Sequence, residues 1–185
     1  MKVPLKSNLF TKLLTIAIAA IVSFTSCNVD RCKTIVCANE GVCNMGVCTC
    51  PSGYEGTNCE TVTRDKFTGN WMVFEKGSST FSAQYPISIE PSSLITDVLI
   101  YNFNNYFKHP VLATISGYNI TIPNQQLDGK IVFGKGYIYT PSNVSYHQYS
   151  AISMNYEVID SVTLNIDDYG YNEVVDGSKP SAWNK

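Results

Sequence analysis

The sequence predicts a mainly β protein of two unequal parts, a short cysteine-stapled module followed by a larger, cysteine-free antiparallel β domain. Three observations predict this. All seven cysteines lie between Cys27 and Cys59, and none occurs from Glu60 to Lys185. From Phe67 onward apolar and polar residues alternate with a period of two, the pattern of strands with one buried face. After Glu60 no helical period is sustained.

The chain opens with a basic stretch, Lys2, Lys6 and Lys12, that carries no acid. Leu13 to Phe24 follows as a largely apolar run of twelve residues. A membrane-spanning helix needs about 20 apolar residues, so the run is too short to span and fits the core of a secretory signal. It ends in Thr25-Ser26-Cys27, small residues ahead of a cysteine. This stretch resembles a lipobox, the cleavage motif of bacterial lipoproteins, with Phe24 standing where Leu is typical. The resemblance implies removal of residues 1–26, a thioether-linked diacylglycerol on Cys27, and a lipidated linker over 27–31. An ordinary cleaved signal that leaves Cys27 as a free thiol is the other reading. Setting Cys27 aside leaves six cysteines, an even number for an oxidising compartment. By the Gram-negative sorting rule, Asn28 in place of Asp implies the outer membrane. Val29-Asp30-Arg31 leaves open whether the protein faces the periplasm or the cell surface.

The remaining cysteines read Cys32-x4-Cys37-x5-Cys43-x4-Cys48-x-Cys50-x8-Cys59. With Asn39-x-Gly41-x-Cys43 and Gly53-Tyr54-Glu55-Gly56, this run resembles an EGF-like domain over residues 32–60. Six cysteines allow 15 pairings, among which spacing does not choose. The resemblance implies Cys32–Cys43, Cys37–Cys48 and Cys50–Cys59. So short a segment cannot bury enough apolar surface to offset its chain entropy, so it needs the staples. Zinc sites favour Cys-x2-Cys knuckles, and none is present. The calcium-binding EGF subclass resembles this segment poorly. Asp30 alone supplies an acid ahead of Cys32, and Asn44 to Val47 holds one amide and no aromatic. No metal and no cofactor is therefore expected.

Beyond the module, eight strands are expected near 70–77, 83–90, 97–103, 111–116, 119–123, 130–139, 148–159 and 161–167. Gly77-Ser78-Ser79, Ser116-Gly117, Asp128-Gly129 and Thr140-Pro141 punctuate them. Short loops make sequence neighbours pair, and closure into a small up-and-down barrel hides the edges. A two-sheet sandwich is the alternative. The inward set is expected to be Trp71, Val73, Tyr85, Ile87, Ile89, Leu99, Tyr101, Ile120, Ile122, Ile152, Met154, Tyr156, Val158, Val162, Leu164 and Ile166. Trp71, Tyr101, Met154 and Tyr156 are the candidates to line either a cavity or a filled core. The β domain is expected over 64–168, with a polar, fraying tail over 169–185. Phe67-Thr68-Gly69-Asn70-Trp71 resembles the opening of the lipocalins, in which the Trp closes one end of the barrel. The later lipocalin signatures, a Thr-Asp-Tyr and a closing arginine, are absent from this sequence. The succession of lipobox, EGF-like module and lipocalin-like domain is similar to that of envelope lipoproteins of Gram-negative bacteria.

No catalytic motif emerges. His109 and His147 stand in no triad or metal-ligand spacing, and Asp167, Asp168 and Glu173 read as a solvated face. No phosphate loop, dinucleotide fingerprint or Gly-x-Ser-x-Gly occurs. A net charge of -2 gives no basic field for nucleic acid. Tyr137, Tyr139, Tyr146, Tyr149, Tyr169 and Tyr171 crowd the second half, and strand preference accounts for them. The expectation is a non-enzymatic interaction or presentation module. It would be held to the membrane by its N-terminal lipid and offer its outer surface to a protein or glycan. A lipocalin-like carrier of a small apolar ligand is the alternative. Bulky inward residues on short strands favour a filled interior.

Overall fold

The computed structural model describes residues 30–141, 151–172 and 178–185. The signal segment, Cys27, Asn28, Tyr146, His147, Tyr149 and Glu173 lie outside the described residues.

The module is built on two small hairpins. Strands β1 (Val42–Asn44) and β2 (Val47–Thr49) pair through a two-residue turn, in which Met45 and Gly46 both take positive φ, 50° and 91°. That is the geometry a tight antiparallel hairpin demands. Strands β3 (Tyr54–Glu55) and β4 (Thr61–Val62) form the second, so the module runs to Val62 rather than ending at residue 60. The bridges are Cys32–Cys43, Cys37–Cys48 and Cys50–Cys59. Asn39 ties the two halves by donating from Nδ2 to the Cys59 carbonyl at 2.8 Å. A side chain at Gly41 would meet the Cys59 sulfur at 2.7 Å, so the motif's glycine is a matter of space.

The cysteine-free part is an eight-stranded closed antiparallel barrel, not a sandwich. Its strands are β5 (Gly69–Glu75), β6 (Ala83–Pro91), β7 (Asp97–Tyr101), β8 (Val111–Ser116), β9 (Asn119–Leu127), β10 (Lys130–Tyr139), β11 (Ala151–Asp160) and β13 (Ser181–Asn184). Sequence neighbours pair from β5 to β11, and β13 closes the ring between β11 and β5. A short β12 (Ile166–Tyr169) pairs with the far half of β11, beyond the stretch that β13 takes. The registers sort the connections into two ends. The near end holds Gly69, residues 92–96, residues 117–118 and Lys185. The far end holds residues 76–82, 102–110, 128–129 and 161–165.

Three expectations are corrected. The stretch 169–185 is not a fraying tail throughout, because Ser181 and Trp183 face inward and are buried while Trp183 pairs with Val73 and Ile152. Burial of one tryptophan on a short strand outweighs the polarity of its neighbours. The segment 161–167 is not a returning strand with an apolar inner face. The Asp160 carboxylate accepts from the N–H groups of Val162 and Thr163 at 3.0 and 2.8 Å, and Leu164 takes positive φ. This wide turn leaves Val162, Leu164 and Ile166 exposed. In β7 the inward residues are Val98 and Ile100, so Leu99 and Tyr101 face outward. Val98-Leu99-Ile100-Tyr101 is apolar at every position, and alternation cannot choose its face.

Large side chains fill the barrel. Trp71, Trp183, Tyr156, Phe67, Phe103, Ile152 and Met154 are each less than 2 % exposed or at that value. Space for them comes from β10, whose inward positions include Gly134 and Gly136. A Cβ there would approach the Tyr156 Cβ to 2.5 Å and the Met154 sulfur to 2.6 Å. Phe103 enters from the far end on a 3₁₀ turn, Phe103–Asn105, and sets its ring edge-on to Tyr156 at 4.7 Å. Asn102, Asn104 and Asn105 all take positive φ, a region that asparagine tolerates better than most residues.

Candidate functional site

The near end is sealed by Trp71. Its indole N–H donates to the Phe67 carbonyl at 2.7 Å. Among the described residues no arginine stands over the ring. Lys185 takes that place, its Nζ 4.7 Å from the ring and donating to the Thr68 carbonyl at 2.9 Å. Burial lowers the Lys185 ammonium below the ordinary lysine range.

The module is fixed to this sealed end. A 3₁₀ turn, Thr63–Lys66, follows β4 directly and leads into β5. The Thr63 N–H donates to the Gly53 carbonyl at 2.8 Å. Lys66 pairs with Glu55 at 2.7 Å and lies over the Tyr118 ring at 4.3 Å. Arg64 Nη1 donates to the carbonyls of Ser92, Leu94 and Asp97, holding the β6–β7 loop against the turn that joins the module to β5. Ile95 in that loop packs on Gly53, where an added Cβ would come within 2.6 Å of it.

The far end is organised around a buried acid. Glu75 follows Trp71 and Val73 on the inward face of β5 and is 9 % exposed. Its Oε1 accepts from the Tyr85 hydroxyl, and its Oε2 accepts from Tyr156 at 2.7 Å and Ser181 at 2.6 Å. Asn104, carried in by the Phe103 turn, donates to the hydroxyl oxygens of Tyr156 and Tyr169 at 3.0 and 2.9 Å. Tyr169 in turn donates to Asp167 Oδ2 at 2.8 Å, and Thr80 Oγ1 donates to the same oxygen. Burial, followed by the Glu75 charge, pushes the Tyr85 and Tyr156 phenols well above the tyrosine range, so they remain neutral donors. Each polar group of this network is engaged with another, which fixes the loops to the barrel mouth.

Above the network is an open depression of about 270 Å³, bordered by Thr80, Asn104, Tyr106, Lys130, Asp160 and Asp167. Lys130 pairs with Asp160 at 2.8 Å. Asp128, in the β9–β10 turn, accepts from the N–H groups of Lys108 and His109 at 2.7 and 3.0 Å and from His109 Nδ1. The hydrogen bonds from His109 hold the Asp128 carboxyl below its ordinary range. Phe81, Val162 and Leu164 stand out from this end, 94, 86 and 68 % exposed.

Trp71, Met154 and Tyr156 lie inside the barrel, whereas Tyr101 is 37 % exposed on its outer wall. Asp168 does not belong to a solvated face. It is 1 % exposed and accepts from the N–H groups of Gly170, Tyr171 and Asn172 and from Ser178 Oγ. Burial raises the Asp168 carboxyl, and those hydrogen bonds outweigh it and hold the group below the usual range. Tyr137 and Tyr139 project outward with rings 5.6 Å apart, Tyr169 is buried, and Tyr171 packs on Phe133 at 5.1 Å. Among the described residues no group of three or more His, Cys, Asp or Glu converges to hold a metal ion. Sequence reading missed Glu75, Asn104 and Ser181. The available signal for Glu75 was an acid at an inward position of a clear alternation.

Residues 35–62 match the family model of the Teneurin-like EGF domain. The match covers the module from just ahead of Cys37 to the end of β4. The chain thus joins an EGF-like module to an eight-stranded closed antiparallel barrel.

Proposed function

We propose that the chain is an exported, non-enzymatic envelope lipoprotein that presents the far end of its barrel to a protein or glycan partner. In this reading Cys27 carries the lipid, the EGF-like module is a short stalk, and the barrel is the presented body. The observation that carries it is the junction made by Arg64, Lys66 and Thr63. It fixes the module to the sealed end and leaves the loops with Phe81, Val162 and Leu164 at the opposite one. Cysteine parity supports the lipid, because the other six cysteines are bridged among themselves. A carrier of apolar molecules would have to displace Phe103 and separate Glu75 from its hydroxyl donors before a ligand could enter.

The test is metabolic labelling in a Gram-negative host. Wild type takes up labelled palmitate and sediments with membranes, and Cys27→Ala does neither. Membrane association of Cys27→Ala equal to wild type would remove the anchor from the account.

A further inference from the structure

The EGF-like module exposes apolar side chains that neither its staples nor the barrel use. Val42 and Val47 are 66 and 68 % exposed, and Met45 at the hairpin tip is 81 % exposed. The register pairs Val42 with Thr49 and Asn44 with Val47, which puts both valines on one face of the hairpin, opposite the bridged cysteines. Val36 is 82 % exposed, one residue before the Cys37 that is bridged to Cys48. Four large apolar side chains in so small a module are a strong surface feature, since the interior of the module is taken up by sulfur.

The path of the chain says what lies beside them. Arg31 packs against the turn of this hairpin, and its Cβ would lie 3.3 Å from a Cβ at Gly46. Arg31 therefore lies beside the tip that carries Met45. From Arg31 to Cys27 there are four residues, which reach at most about 14 Å when fully extended. A lipid on Cys27 has its sulfur at the boundary between headgroups and acyl chains, so Arg31 and the tip beside it are tethered close to the bilayer surface, Arg31 within about 14 Å of that boundary. Arg31 is exposed beside the tip and Lys33 is exposed two residues further on, long cations that can reach lipid phosphates while their stems lie along apolar surface.

We infer that the β1–β2 hairpin tip, with Met45, Val42 and Val47, dips into the bilayer interface as a second membrane contact beside the lipid. This rests on the lipidation of Cys27. A flexible lipid tether alone would leave the protein free to tumble over the membrane. The tip contact gives the rigid module and barrel one orientation, with the far-end loops directed away from the bilayer.

The test uses the acylated full-length mature protein in vesicles of phosphatidylethanolamine and phosphatidylglycerol, part of the lipid being brominated near the ester end of its acyl chains. Trp71 and Trp183 are buried and give a constant background. Met45→Trp and, independently, Val47→Trp should emit further to the blue in vesicles and be quenched by the brominated lipid. Phe81→Trp at the far end should emit as in water and escape quenching. Bridge formation, checked by the absence of free thiols among the six module cysteines, shows that each variant has folded. Two results overturn the inference while leaving the anchor intact, both in protein that floats with the vesicles. One is unquenched, red emission from both tip variants. The other is tip tryptophans shielded from aqueous iodide but unquenched by lipid, which would mean that a protein covers the tip. Failure of the wild type to float would overturn the anchor and the contact together.

Discussion

Glu75 and Glu157 are two acids on strands of one barrel, and their surroundings give them different work. Glu75 faces inward and gathers hydroxyl donors from β6, β11 and β13. Glu157 faces outward, yet is 5 % exposed, because residues 168–172 fold over it and Asn172 donates to its Oε1. Burial, then the neighbouring Asp168, raises the Glu157 carboxyl above its ordinary range. An acid whose folded value is raised binds more protons in the folded state than in the unfolded one. Its contribution therefore becomes unfavourable as pH climbs from the unfolded value of about 4.3 through the raised one. Glu157→Gln keeps an acceptor for Asn172 and cannot ionise. Urea titrations should show Glu157→Gln gaining stability relative to wild type as pH rises across that window, with no gain below it. A constant difference at every pH would mean that the Glu157 charge plays no part. None of this was legible in the sequence. Glu157 reads as the polar partner in the Tyr156–Val158 alternation, and what covers it comes from residues whose conformation is set by the Asp168 carboxylate.

At the scale of elements, alternation found the strands and often their faces, and it failed where its physical basis fails. On β5, β6, β9 and β11 the apolar residues that the alternation names do face inward, and on β5 the acid Glu75 shares that face with them. β7 is apolar at consecutive positions, so its face is decided by pairing with Ile89 and Pro91 across the sheet. β13 is four residues long and polar at both ends, too short for a period to show. Its importance lies in closure, since without it β5 and the near half of β11 would be open edges. Removing a fully buried Trp side chain typically costs about 3–5 kcal/mol. Trp183→Ala should lose stability of that order in denaturant unfolding. Ala182→Ser, on the outward side of the same strand, should stay within about 0.5 kcal/mol of wild type. Equal, small effects at both positions would mean that β13 is not a working stave of the barrel.

For the whole molecule, the two parts differ in what holds them together and are joined so that they act as one body. The module relies on covalent staples because it has little to bury, and the barrel relies on an aromatic core. The sealed end meets the module through the Arg64 and Lys66 contacts, and the far end is closed by the Phe103 plug above the Glu75 network. The spacing of the cysteines and the Phe67-Thr68-Gly69-Asn70-Trp71 opening made this layout readable in outline. The plug was not readable, because Phe103 lies in a loop whose asparagines mark a turn without saying where it points. Trp71, Trp183, Tyr156 and Phe103 fill the barrel, so an apolar molecule would have to displace them to enter. The most direct measurement is titration of a fluorescent fatty-acid analogue into the Cys27→Ala protein, which has no acyl chains of its own, while the emission of Trp71 and Trp183 is followed. A filled barrel should give no saturable binding at micromolar concentration and no change in tryptophan emission. Saturable binding that Met154→Glu abolishes in protein that stays folded would place the ligand inside the barrel and contradict it.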